Sequence, residues 1–163
     1  MSINLKESDH KIYLTGTYYG VLDERNRFNL PKKIYESLTH IYGPREINLF
    51  LKVRATSDKC IDIFPEIKYK ELSEQISDLP ENVQNNRIYK RSFFGSIEKA
   101  TLDKRHRLLL SDNFFKSLEL DVEKDLVFVG MGSYIQLFKK SKFLELQKQE
   151  ISNAESIEEK INL

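Results

Sequence analysis

Histidine, cysteine, long apolar runs and any excess of one charge are all scarce in this chain, and each shortage removes a class of function. His10, His40 and His106 are scattered, and no Ser/His/Asp spacing, Gly-x-x-x-x-Gly-Lys loop or Cys/His metal pattern appears. No catalytic residue, metal or cofactor is therefore expected, and the chain reads as a non-enzyme without a small-molecule substrate. The single cysteine, Cys60, cannot form an intrachain disulfide. It lies in the strand-like run Cys60-Ile61-Asp62-Ile63-Phe64, where a thiol packs as a small hydrophobe. No run approaches the roughly 18 apolar residues of a membrane span, and the first eleven residues lack the apolar core of a signal peptide. A soluble, cytoplasmic protein with no membrane partner is the expectation. At 163 residues, 40% apolar and 31% charged, it suits one compact domain or two small, closely packed ones. Its formal net charge of +1 is a poor overall match to nucleic acid.

What the chain has instead is an echo. Leu22-Asp23-Glu24-Arg25-Asn26-Arg27-Phe28-Asn29-Leu30-Pro31 returns 80 residues later as Leu102-Asp103-Lys104-Arg105-His106-Arg107-Leu108-Leu109-Leu110-Ser111. Extended at that offset, buried-type positions keep their character: Ile34 and Tyr35 meet Phe114 and Phe115, and Leu38 meets Leu118. Later the offset falls to 74, where Cys60 to Phe64 faces Tyr134 to Phe138. The chain holds two copies of one small unit.

Each copy reads as strand, turn, strand, short helix, hairpin. Lys11 to Val21 carries strand-type residues, and Phe28 and Leu30 alternate as a strand would. Pro31 opens a helix through Leu38, since proline suits a first helical turn. In the second copy Ser111 is expected to cap the helix by accepting an N–H bond. The hairpins are Ile47 to Val53 with Cys60 to Phe64, and Leu126 to Val129 with Tyr134 to Phe138. The second is joined by Gly130-Met131-Gly132-Ser133, whose glycines can take positive φ. Between the copies Tyr69, Leu72, Ile76 and Leu79 form a helical stripe that Pro80 interrupts. A second helix is expected from Pro80 to about Phe93, with Arg87 and Arg91 one turn apart. This linker is too apolar for a tether and should pack on the β units or on a neighbouring subunit. Charge is polarised: Arg87, Lys90, Arg91, Lys99, Lys104, Arg105 and Arg107 crowd one stretch, while Glu155, Glu158 and Glu159 mark the tail. A solvated face would look the same.

The two Asp-x-x-x-Arg turns, Asp23 to Arg27 and Asp103 to Arg107, recur in the same strand-and-helix context. Together with the Leu30-Pro31 helix start, Phe64-Pro65 before the linker, Arg87 and Arg91, and Phe94-Gly95, they resemble the MraZ family, whose members carry two SpoVT-AbrB-type domains. The likeness runs from about Thr17 to Leu146. It implies a mainly β fold with helices (α+β), in which two AbrB-like swapped-hairpin β units interlock within one chain, with linker and C-terminal helices. The corresponding division is an N-terminal extension (1–16), a first domain (17–68), a helical linker (69–96), a second domain (97–140) and a C-terminal helix or tail (141–163). It further implies a ring-shaped homo-oligomer that binds direct repeats in promoter DNA as a nucleoid-associated regulator of the division and cell-wall gene cluster, its own gene included. Departures are local. Asn26 and His106 stand where the family usually has glycine, and both residue types are enriched among non-glycine residues in the left-handed region. The second copy also lacks the proline after Leu110.

The turn chemistry can be weighed on its own terms. Asp23 and Asp103 suit a structural role, accepting turn N–H groups or pairing with the arginine. Arg27 and Arg107 have two readings: locked to their aspartates they are architectural, while projecting outward they would read guanine. Arg25 and Arg105, with no acid pinning them, are the expected outward contacts. Lys32, Lys33 and Lys104 would then position phosphates without reading sequence. The rival is a ring-forming scaffold for proteins, with Tyr18, Tyr19, Phe93, Phe94, Phe114 and Phe115 at interfaces, although most such aromatics are ordinary core in small β units.

Overall fold

The computed structural model describes residues 13–54, 56 and 58–161, so positions 1–12 of the expected N-terminal extension lie outside the described residues. The first copy contains β1 (Thr17–Val21), β2 (Arg27–Asn29), α1 (Lys32–Tyr42), β3 (Asn48–Arg54) and β4 (Cys60–Pro65). The linker helices are α2 (Glu66–Ser77) and α3 (Gln84–Ser96). The second copy repeats the plan with β5 (Glu98–Thr101), β6 (Arg107–Leu109), α4 (Asp112–Ser117), β7 (Asp125–Gly130) and β8 (Ile135–Lys139), and α5 (Lys140–Lys160) follows.

The strands do not stay within their own copies. Among the described residues they form a six-stranded antiparallel sheet in the order β1-β7-β8-β4-β3-β5, and a separate two-stranded ribbon, β2-β6. Thus β1 leaves its own hairpin to pair with β7, and β5 pairs reciprocally with β3. This is the interlocked, swapped arrangement expected of the α+β fold. The exchange is nearly symmetric. Gly20 faces Leu126 as Ala100 faces Leu49, and Leu30 N–H donates to the His106 carbonyl as Leu110 N–H donates to that of Asn26. A pseudo-twofold axis passes between Phe28 and Leu108 in the ribbon, and between Asp62 and Gln136 where β4 meets β8.

Burial follows position in the sheet. The middle strands β4 and β8 are buried almost throughout, the polar Asp62 and Gln136 included, whereas the edges β1 and β5 are short and alternate. One core serves both copies: Leu22, Phe28, Ile34 and Leu38 pack with Leu102, Leu108, Phe114, Leu118 and Phe128. Tyr18, Phe114 and Phe115 belong to or flank that core, and Phe93 is buried too, while Tyr19 and Phe94 are exposed. A second cluster, Cys60, Val127, Phe138 and Leu146, lies under α5. Cys60 is fully buried, and burial pushes its thiol up to about 12, as befits a packed, unreactive side chain. Asp62 and Gln136 are the buried polar residues of the described core. Arg54 pairs with Asp62 at 2.9 Å, and Gln136 Nε2 donates to the same carboxylate at 3.4 Å.

Several local expectations shift. Of the stretch expected to be strand from Lys11 to Val21, Lys11 lies outside the described residues; β1 starts at Thr17, after Gly16 with φ 96, and Leu14 makes an isolated bridge to Gly132. Pro31 sits outside the helix with extended geometry (ψ 136), and α1 continues past Leu38 to Tyr42, stopping where Gly43 takes φ 65. Ser111 does precede α4, yet its hydroxyl is buried without a hydrogen-bond partner, so the cap is not made. α3 starts at Gln84, after a turn whose carbonyls at Pro80 and Glu81 accept from Asn86 and Arg87 side chains. Of the two glycines joining β7 to β8, Gly132 has positive φ (82), whereas Gly130 is needed for close approach. A Cβ there would fall 2.5 Å from the Thr15 nitrogen and 2.6 Å from the Leu14 carbonyl. Because backbone cannot yield as a side-chain tip can, Gly130→Ala is expected to cost about 2 kcal/mol in urea unfolding.

Candidate nucleic-acid interface

Both motif turns are built the same way. Asp23 Oδ1 accepts the backbone N–H groups of Arg25 at 2.8 Å and Arg27 at 2.9 Å, and Oδ2 accepts Arg27 Nε at 2.9 Å. In the second turn Asp103 takes Arg105 and Arg107 N–H at 2.8 and 2.9 Å, and Arg107 Nε at 2.8 Å. The backbone must pass through the left-handed region to close so tight a loop, and Asn26 (φ 59) and His106 (φ 61) do so. These bonds, led by the Arg27 and Arg107 backbone N–H groups, hold both carboxyls below the ordinary carboxylate range. Their support is present above the unfolded carboxyl pKa and fades as pH falls through the lowered folded value.

The arginines at the motif ends are thereby architectural without being used up. Each donates Nε to its aspartate, and among the described residues no further hydrogen bond holds the Nη groups. Their side chains stay 27% and 22% exposed. A guanidinium fixed at one edge has lost its rotamer freedom already and still offers a fork of donors. Arg25 and Arg105 are exposed at the loop tips, with no side-chain partner among the described residues.

The other expected contacts scatter more. Lys104 is exposed at the second turn, in a cleft of about 350 Å³ that it shares with Arg45 and His106. Arg45, from the loop between α1 and β3, belongs to no motif, and nothing in the sequence places it near the turn. His106 stacks on Tyr35 of α1 at 3.5 Å between ring centroids, tying the second turn to the helix of the other copy. Lys32 and Lys33 are exposed on α1, where Lys32 lies 3.8 Å from Glu36, a surface pair of little energetic weight. Arg87 and Arg91 are exposed on α3 rather than on either turn, and Arg87 also holds the start of that helix through the Glu81 carbonyl. No group of three or more metal-type ligands occurs among the described residues, and no described helix is long and apolar enough to cross a membrane.

Similarity to known proteins agrees with this architecture. The family model described as "MraZ protein, putative antitoxin-like" matches residues 93–162, essentially the second copy and α5. Curated relatives extend the likeness across both copies. A protein of Acidithiobacillus ferrooxidans named "Transcriptional regulator MraZ" is 31% identical over 144 residues, covering 86% of this chain and 91% of the relative. The chain belongs to the MraZ family. Similarly named proteins of Clostridium acetobutylicum and Cytophaga hutchinsonii are 26% and 25% identical, over 83% and 91% of this chain and 88% and 93% of theirs. The name those MraZ relatives carry denotes a regulator, not an enzyme class.

Proposed function

We propose that the chain is a DNA-binding transcriptional regulator that recognises direct repeats in promoter DNA, including that of its own gene within the division and cell-wall cluster. The observation that carries this reading is the pair of aspartate-braced turns, one at each end of the β2–β6 ribbon, each with an exposed arginine at its tip. Turn rigidity supports it, since pre-ordered donors lose little freedom on meeting a groove. Arg25, Arg105, Arg27 and Arg107 supply the base-directed donors, and Lys104, Lys32 and Lys33 the phosphate contacts. Binding of this kind places the protein on the nucleoid, in the cytoplasm.

A single protomer with net charge +1 makes few such contacts, so assembly is part of the proposal. Two domains (17–68 and 97–140), joined by the helical linker (69–96), would act as one unit within a ring of copies. α3 exposes Ile88 and Phe94 beside Arg87 and Arg91, with Tyr89 exposed on the other side of the helix, and its basic face suits contact with the acidic end of a neighbour's C-terminal helix. Linked sites gain effective concentration and can raise binding by about 10² to 10⁴ without new contact types. Fluorescence anisotropy on upstream DNA should therefore show weak binding to one repeat and strong, salt-sensitive binding to several. Equal affinity for one repeat and for a phased array, or for scrambled DNA, would overturn the reading. It would leave the same exposed aromatics to serve a protein scaffold.

A further inference from the structure

Resting on the DNA-binding reading, we propose that Asn29 and Leu109 are specificity-determining residues, and that their difference makes each protomer read its site asymmetrically. In β2 the side chains alternate: Phe28 is buried, while Arg27 and Asn29 face outward. In β6, Leu108 is buried, while Arg107 and Leu109 face outward. The register sets Arg27 opposite Leu109 and Asn29 opposite Arg107. Four side chains thus form a quartet on the solvent face of an exposed ribbon.

The quartet has the scale of a base-reading surface. Two residues along a strand advance about 7 Å, about two base-pair rises at 3.4 Å each. A two-stranded ribbon is also one of the shapes the major groove admits. On one diagonal stand Arg27 and Arg107, equivalent under the pseudo-twofold axis and both braced by aspartate. On the other stand Asn29 and Leu109, also equivalent by position but opposite in chemistry. A carboxamide pairs with adenine through its N6 and N7 edge, whereas an aliphatic side chain packs on the thymine methyl. Leu109 is 64% exposed, beside charged turns and outside the core its neighbour Leu108 fills, so stability of the isolated protomer gives it no purpose. The turns repeat the asymmetry: Glu24 in the first is matched by Lys104 in the second, leaving the second turn the stronger attractor of phosphate.

The test is selection from a randomised duplex library with the full chain, comparing wild type with Asn29→Ala, Leu109→Ala and Leu109→Asn. All of these positions are exposed, so folding should be retained, and sedimentation checks the assembly. Wild type should enrich a motif whose two halves differ. Asn29→Ala should lower preference about tenfold at one base pair, and Leu109→Ala should relax a thymine in the other half. Leu109→Asn should make the two halves alike. If the variants enrich the same motif as wild type, or Leu109→Ala breaks the assembly while leaving the motif intact, the quartet assignment fails and DNA reading by the protein survives. If wild type enriches nothing, the DNA-binding reading fails and takes this inference with it.

Discussion

Arg54→Ala is expected to lower the unfolding free energy by about 2–3 kcal/mol at pH 7, a large loss for a residue no motif singles out. Asp62 sits on the pseudo-twofold axis, with its side chain only 6% exposed, and Arg54 is the cation that compensates it. Removing one partner of a buried pair strands the other charge, which typically costs about 3–5 kcal/mol. The lower figure applies here because the guanidinium is itself 34% exposed and partly screened by water. The loss should depend on pH. Burial already raises the Asp62 pKa, and the Arg54 hydrogen bond and charge oppose that rise. Without Arg54 the folded pKa moves higher still, so the folded state takes up a proton more readily than the unfolded chain. The deficit relative to wild type should therefore shrink as pH falls from 7 through the raised folded pKa. Urea titrations of both proteins across that range measure it. The turn carboxylates Asp23 and Asp103 lose their support on acidification in both proteins alike, so the difference isolates Asp62.

The second large effect falls on DNA rather than on stability. Arg25→Ala with Arg105→Ala should reduce affinity for an array of repeats by more than about 100-fold. Each lost guanidinium contact is worth about 1–3 kcal/mol, and the loss recurs in every protomer engaged. To the extent that these arginines touch phosphate, the log–log salt slope should also flatten by about one per lost contact. The melting temperature and the oligomeric state should hold, because each residue contributes its backbone N–H, and not its side chain, to the turn. A folded, assembled double variant that binds DNA like wild type would return the recognition role to Arg27 and Arg107.

Why some of this was readable in the chain and some was not has a physical answer. The two turns were legible because their chemistry is local: an aspartate, its next few N–H groups and an arginine four positions on suffice, and only a left-handed residue such as Asn26 or His106 closes the loop. The recurrence of Phe28 to Leu30 as Leu108 to Leu110 marked the two copies and their ribbon strands, whereas the swap between them was legible only through family resemblance, because strand pairing across a hundred residues leaves no local signal. Helix ends were less so. Ser111 has the right identity for a cap, but tertiary packing buries its hydroxyl away from the N–H groups it would accept. Gly130 looked like a turn glycine, and its use is to admit the backbone of Leu14 and Thr15, which no local rule foretells. Asp62 was hidden for the opposite reason. In Ile61-Asp62-Ile63 an acid suggests an outward-facing position, and only the pairing of β4 with β8 and the reach of Arg54 explain its burial. Arg45 likewise joins the second turn only once the chain is folded.

The exchange of β1 and β5 between the copies bears on how the protein is made. Thr17 has no partner until Val129 exists, more than a hundred residues later. A chain leaving the ribosome therefore holds its first strand as an unpaired edge through most of synthesis. Folding led by such distant pairings is slow, and it leaves intermediates with exposed strand edges. β1 is short and carries Gly20 one residue from its end, where a side chain would collide with Phe128. A strand of that make is a weak template for foreign chains during the wait.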